Sequence, residues 1–261
     1  MTRVTGTGRA ALGARDAVFA QLSDAGRAEQ VARRLADAIV LGVLTPGERL
    51  PSEAVLARRF GVALVTARDG LGMLRDAGLV ETRRGRDGGS FVVDGAAATA
   101  DRDDAFLETR LRELGQVELA DLADYVATIA EGCAHRAAGR STPSDAARLG
   151  AWLDAASFAT AAEARRNASG FFLELAVLSQ STRLVREQIR LQAEFGPLLW
   201  LGMRDAALRE HTAASARSIA AAVAANDGAA ARAEVADLMR LIAEWLLGAK
   251  LRVQRGGGLD G

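Results

Sequence analysis

Beyond residue 102 the apolar positions recur at steps of three and four in seven stretches, 103–114, 117–138, 144–156, 161–179, 182–203, 205–226 and 229–247, separated by Gly, Pro and Ser clusters. An α-helix needs that period to bury one face, so the pattern predicts an all-helical bundle. Two breaks are sharpest: Asn226-Asp227-Gly228, and Gly196-Pro197, which is expected to kink or restart a long helix. Upstream the pattern changes. A helix over 29–41 precedes the turn Thr45-Pro46-Gly47-Glu48, Ser52 is placed to cap a short helix ending at Phe60, Gly61 permits a tight turn, and a second helix runs over 63–77. Leu56 and Phe60 on the first, and Leu71 and Leu74 on the second, fall at helical spacing and would pack the two together. After Gly78 the period shortens to that of strands over 79–82 and 90–93. Between them Arg83, Arg84, Gly85, Arg86, Asp87, Gly88 and Gly89 make a basic, glycine-rich hairpin tip.

Two helices joined this tightly and followed by a basic hairpin read as a winged helix-turn-helix, whose second helix enters the major groove of DNA. Over 27–93 the order helix, LGVLTPGERLPSE, helix, FGV, helix, GLVETRRGRDGGSFV is similar to the DNA-binding domain of the GntR family of bacterial transcriptional regulators. Turn, cap and wing signals agree in sequence, which is far more specific than an isolated helix-turn-helix pattern. There are two departures. Ala63 and Leu64 stand where the family usually carries Ser-Arg, and Ala54 replaces another arginine that commonly contacts DNA. The arginine left at a matching position is Arg68, with the Thr66 hydroxyl beside it for a phosphate or base edge. An arginine fork on guanine gives about 1–3 kcal/mol of discrimination, whereas Leu64 offers only apolar contact, for instance to a thymine methyl. The expected DNA-contacting set is Arg58, Arg59, Leu64, Thr66, Arg68, Arg83, Arg84, Gly85 and Arg86, on an operator unlike the family's usual one. Plainer readings stay open: Arg68 in a salt bridge to Asp69 or Glu53, and the other arginines as a solvated face.

At 261 residues the chain is long enough for two cores. Its net charge is zero, but residues 27–93 hold eleven arginines against eight acidic residues, while residues 94–261 hold nineteen basic against twenty-three acidic. The basic surplus therefore sits where DNA would bind. It is small, so affinity is expected to need a dimer and to fall steeply with salt. Lys250 is the sole lysine, a usage to which no role attaches at this level. One cysteine, Cys133, excludes an internal disulfide, and no zinc-type Cys/His spacing occurs. With no signal peptide and no apolar run of membrane-spanning length, the expected place is the cytoplasm, with no membrane partner. The expected organisation is a loose arm over 1–24 with a short helical pattern near 14–22, a winged helix-turn-helix over 25–93, a small polar linker over 94–102, a helical effector-binding and dimerisation domain over 103–250, and a flexible tail over 251–261.

The helical part resembles, in pattern rather than motif, the FadR-type C-terminal effector domain. Most such domains hold a divalent metal through an Asp and a His four residues apart plus two later His, and the metal holds a carboxylate ligand. The run over 167–178 aligns so that Ala168 and Phe172 take the first two positions, and the later two fall near Ala216 and Leu238. An arginine that often grips the carboxylate is replaced at about Ala127. His135 and His211 lie on different predicted helices, and a lone imidazole is a poor metal site, so no metal and no cofactor are expected. A pocket including Phe171, Phe172, Leu175, Trp200, His211 and Trp245 would be hostile to a buried carboxylate and suits an apolar chain, a preference that metal-free relatives binding fatty acyl groups make plausible by resemblance. The plainer reading, that these are ordinary core residues and His211 a surface one, stays open.

No GxSxG elbow, HExxH, P-loop or dinucleotide-binding glycine pattern occurs; Gly70, Gly72 and Gly78 lie in or at the end of the recognition helix, where they would weaken and then stop it. The expectation is a mainly α protein that is not an enzyme: an N-terminal winged helix-turn-helix and a C-terminal all-α effector-binding bundle, acting as a homodimeric repressor on double-stranded operator DNA and released by a small lipid-like effector. A metal-dependent sensor of small carboxylic acids, and a helical scaffold that no longer binds DNA specifically, are the alternatives.

Overall fold

A computed structural model describes residues 26–41, 43–85, 88–93 and 104–258. The chain divides into two compact units, to which the described residues contribute 26–93 and 104–258. The arm over 1–24, the linker over 94–102 and Arg86 lie outside the described residues.

In the first unit α1 (Arg27–Val40) buries Val31, Leu35, Ala38 and Ile39. The second helix, α2 (Glu53–Phe60), begins at Ser52, whose Oγ accepts from the Val55 amide at 3.4 Å, and stops at Gly61 with φ 68°. That left-handed turn, which glycine adopts without strain, delivers the chain into α3 (Leu64–Asp76). Leu56, Phe60, Leu71 and Leu74 are all buried, as their spacing requires. Gly70 is on the face of α3 packed on α1. A Cβ there would stand 2.7 Å from Val31 Cγ1 and 2.9 Å from the Ala28 carbonyl oxygen, so the glycine sets how closely the helices approach. The expectation that it only weakens the helix is corrected: it is needed for packing, whereas at Gly72 a Cβ would meet only the far end of Arg75 at 3.7 Å.

The wing is an antiparallel pair, β1 (Val80–Arg83) and β2 (Gly89–Val92), in register Val80 with Val92 and Arg83 with Gly89. These strands are displaced by one residue from the expected 79–82 and 90–93. The segment before α2 adds a short third row: Arg49 bridges Phe91, the Leu50 amide donates to Ser90 O at 2.8 Å, and the Val92 amide donates to Glu48 O at 3.0 Å. That pairing is long-range, and no local pattern announces it.

Among the described residues the second unit contains seven α-helices: α4 (Asp104–Glu113), α5 (Gln116–Ala138), α6 (Pro143–Ala155), α7 (Ala161–Leu178), α8 (Thr182–Leu199), α9 (Ala206–Ala224) and α10 (Gly228–Gln254). Side-chain caps start most of them, for example Thr142 with Asp145, Thr160 with Glu163, and Asp205 accepting from the Ala207 amide at 2.8 Å. Past Pro197 the chain tightens into a 3₁₀ turn, Trp200–Arg204, where the sequence pattern shows one helix to 203. The longest packed pair is α5 with α10, which run antiparallel: Arg232 Nε donates to Glu131 Oε2 at 2.9 Å near one end, and His135 lies against Gly228. At the other end the Lys250 ammonium, 2% exposed, donates to the carbonyls of Leu111 at 3.0 Å, Arg112 at 3.4 Å and Leu114, closing the C-terminus of α4. α10 also runs past the expected end of the domain to Gln254, with Val253 buried, before Gly256 at φ 83° ends it.

Candidate nucleic-acid interface and effector region

The outward side of α3 carries the candidate reading residues. Its first turn holds Leu64 at 48% and Val65 at 59% exposure, two adjacent apolar side chains that face solvent, while Thr66 is half-buried. Ala63 caps the helix with no side-chain hydrogen bond, so its early amides are not taken up by a cap. Arg68 lies one turn further on, 59% exposed, and its Nε donates to Glu53 Oε2 at 3.0 Å. This is one of the two salt bridges left open by the sequence; it ties α2 to α3. Exposed ion pairs contribute about 0–1 kcal/mol, less than the roughly 1–3 kcal/mol of a fork on guanine, so Glu53 positions the guanidinium without locking it away from a base. Arg58 and Arg59 are exposed on the last turn of α2.

In the wing, Arg83 is held on both sides. Its guanidinium lies 4.5 Å from the Phe91 ring centroid and pairs with Glu81 Oε1 at 2.7 Å through Nη2 and through Nε. Arg84 and Gly85 are exposed at the tip. Arg49, which sequence reading passed over, supports that tip by donating from Nη2 to Gly88 O at 2.5 Å. Gly88 has no room for a side chain, since a Cβ would lie 2.5 Å from Arg83 O. Val65 was likewise passed over. Its position in the first turn after the Gly61 break is the signal that could have found it.

In the helical unit Phe171, Phe172, Leu175 and Trp200 are brought together and buried. Trp152 stacks near Phe171 with centroids 6.5 Å apart, Phe171 meets Phe172 edge-on at 5.6 Å, and Phe172 stacks near Trp200 at 5.5 Å. Trp245 is half-buried against the Gly202 turn, with the Arg252 guanidinium 5.6 Å from its ring centroid. His211 is corrected: it is exposed on α9 and does not join this array, because Leu208 and Thr212 take the inward positions beside it. The four positions at which the resemblance puts metal ligands, Ala168, Phe172, Ala216 and Leu238, are all buried and apolar. Among the described residues no three His, Cys, Asp or Glu side chains gather as metal ligands would, so the donor set does not fit a divalent ion.

Sequence reading also missed two buried glutamines on α8, Gln188 and Gln192, because periodicity counts glutamine as polar. Their spacing of four, in register with Val185 and Ile189, is the available signal. Burial raises the Glu174 carboxyl above its ordinary range, opposed by the nearby Arg148 charge. It also pushes the Cys133 thiol up to about 12. No helix among the described residues is long and apolar enough to cross a membrane.

Residues 27–92 match the family model described as bacterial regulatory proteins, gntR family. The chain is 40% identical over 185 residues to RmpR of Mycobacterium gastri, described as a candidate HTH-type transcriptional regulator, a match covering 70% of this chain and 66% of that one. It is 35% identical over 219 residues to the uncharacterized HTH-type transcriptional regulator Rv0494 of Mycobacterium tuberculosis, covering 79% of this chain and 84% of that one. Among solved structures, Escherichia coli McbR/YncC is similar at a TM-score of 0.44 and 20% identity, over 85% of this chain and 98% of that one, too loose a likeness to add to the fold. With a family domain over 27–92 and a relative matched over 84% of its length, the chain belongs to the GntR family of bacterial helix-turn-helix transcriptional regulators, which are not enzymes.

Proposed function

We propose that this regulator is a homodimer that sets two winged helices on a pseudo-palindromic operator, represses transcription there, and lets go when a lipid-like effector, a fatty acid or an acyl-CoA, enters its FadR-type helical unit. The observation that carries the DNA-binding assignment is the first turn of α3, where Leu64 and Val65 face solvent on a helix whose opposite face packs on α1. An apolar leading turn followed by a hydroxyl at Thr66 and a guanidinium at Arg68 suits a major-groove edge bearing a thymine methyl beside a guanine. Arg58, Arg59, Arg84 and the Phe91-braced Arg83, with Gly85 letting the backbone approach, supply the phosphate contacts; Arg86, outside the described residues, completes the proposed set by its place in the sequence.

The lipid-like effector is supported by the buried aromatic array and by four apolar side chains where a metal and its carboxylate would need donors. Release requires the effector to favour one arrangement of the dimer by about 1–3 kcal/mol.

Fluorescence anisotropy with the promoter upstream of the protein's own gene, against random duplex at moderate ionic strength, tests the first part. Specific binding is expected, and Arg68→Ala should weaken it at least tenfold. No preference for any native promoter would refute the assignment, and unchanged binding by Arg68→Ala would remove Arg68 from the contact set. Tight zinc-dependent binding of lactate or gluconate would refute the lipid-like effector, and a reporter that rises with the protein present would reverse the sign of regulation.

A further inference from the structure

Idle polar atoms gather on one face of α8. Gln188 is 0% exposed, and among the described residues neither the oxygen nor the nitrogen of its amide has a hydrogen-bond partner. One turn on, Gln192 is also buried. Its Oε1 accepts from Trp200 Nε1 at 2.7 Å and from Ser169 Oγ at 3.1 Å, which leaves its Nε2 without a partner. Another turn on stands Gly196, where a Cβ would come within 3.1 Å of Gln192 Oε1, so the amide is given room. Native interiors satisfy nearly all buried amides, because an orphaned one is worse than an apolar side chain of the same shape. Three idle amide atoms on adjacent turns are what a site completed by another molecule would leave.

We infer that Gln188 and Gln192 anchor the head group of the effector, and that they select a neutral carbonyl, as in an ester, thioester, amide or lactone, over a free carboxylate. This deepens the lipid-like reading above and rests on it. The two NH₂ groups offer four N–H donors, while of the two amide oxygens Gln192 Oε1 is engaged and Gln188 Oε1 is not, among the described residues. The anchor is therefore rich in donors and carries no charge of its own. A carbonyl oxygen accepts from both amides without bringing charge indoors, whereas a carboxylate would be buried beside amide dipoles with no counter-charge. Trp200, oriented by its own hydrogen bond to Gln192, and Phe172 stacked near it supply an apolar wall for the attached chain.

The test is calorimetric titration and thermal melting of the full-length protein with octanamide, methyl octanoate and octanoate at pH 8, using the wild type, Gln188→Met and Gln188→Leu. The neutral compounds should bind the wild type at least tenfold more tightly than octanoate. Both variants should melt, unliganded, at or above the wild type, since each removes an orphaned amide, and should bind octanamide at least tenfold more weakly. If octanoate binds as well as octanamide, or the variants bind all three unchanged, the anchor is wrong while the lipid-like reading stands. If none of the three binds the wild type, that reading falls and the anchor with it. If both unliganded variants melt well below the wild type, Gln188 is a structural residue and the inference is overturned.

Discussion

Two glycines in one helix should respond to the same substitution with opposite signs. In Gly70→Ala the new methyl would lie 2.7 Å from Val31 Cγ1, 2.8 Å from Val31 Cβ and 2.9 Å from the Ala28 carbonyl oxygen. Two of those three atoms are a branch carbon and backbone, so the clash is relieved only by moving α3 off α1. Overpacking of this kind costs about 1–3 kcal/mol, against roughly 1 kcal/mol gained from better helix propensity, for a net loss of up to about 2 kcal/mol. In Gly72→Ala the methyl meets only the movable end of Arg75, so the propensity gain stands nearly alone and the helix is stabilised by about 0.5–1 kcal/mol. The three tryptophans, Trp152, Trp200 and Trp245, all lie in the helical unit, so tryptophan fluorescence reports that unit while far-ultraviolet circular dichroism reports both. For a unit of this size each kcal/mol moves the midpoint by about 4–8 °C. Gly70→Ala should lower, and Gly72→Ala raise, the part of the dichroism melt that fluorescence does not follow. Equal stabilisation by both substitutions would refute the view that Gly70 sets the approach of α1 and α3.

Lys250→Met removes three hydrogen bonds to the end of α4 and should destabilise the helical unit by about 2–3 kcal/mol, lowering its fluorescence-detected midpoint by roughly 5–10 °C; an unchanged midpoint would mean the carbonyls find other donors. Glu174 has its folded pKa above the unfolded value, so the protonated form is favoured on folding. Its contribution is complete below the unfolded pKa near 4.5 and is lost as pH rises through the raised folded one. Glu174→Gln should therefore match the wild type in melting at pH 4 and exceed it at pH 7, and the reverse order would show that the attraction of Arg148 dominates. With its thiol buried and pushed up to about 12, Cys133 should resist iodoacetamide at pH 8 in the native protein and react on addition of denaturant, as mass spectrometry would read; rapid native alkylation would contradict the burial.

Much of this architecture was legible because it is local. Ser52, Gly61, Thr142, Thr160 and Asp227 act on amides or turns within a few residues of themselves, so the pattern marks the helices they begin or end. What escaped joins distant parts of the chain. The pairing of Arg49 with Phe91 and the fit of Gly70 against Val31 carry no periodic signal. Lys250 carries no role until the α4 carbonyls appear beside it, and the α8 glutamines count only as polar positions until α7 covers one of them. The candidate site divides the same way. The positions of Leu64, Thr66 and Arg68 follow from where the turn ends, but whether Arg68 faces solvent or Glu53 depends on a contact between residues fifteen apart.

The ammonium that closes α4 also sets an order of events during synthesis. Leu111 and Leu114 accept from a side chain that follows them by 139 and 136 positions, so this cap cannot form until nearly the whole bundle has been made. The backbone hydrogen bonds that join the wing to the segment before α2, from Leu50 to Ser90 and from Val92 to Glu48, span about forty residues, a far shorter wait. A nascent regulator would thus be able to close its wing well before α4 receives its cap.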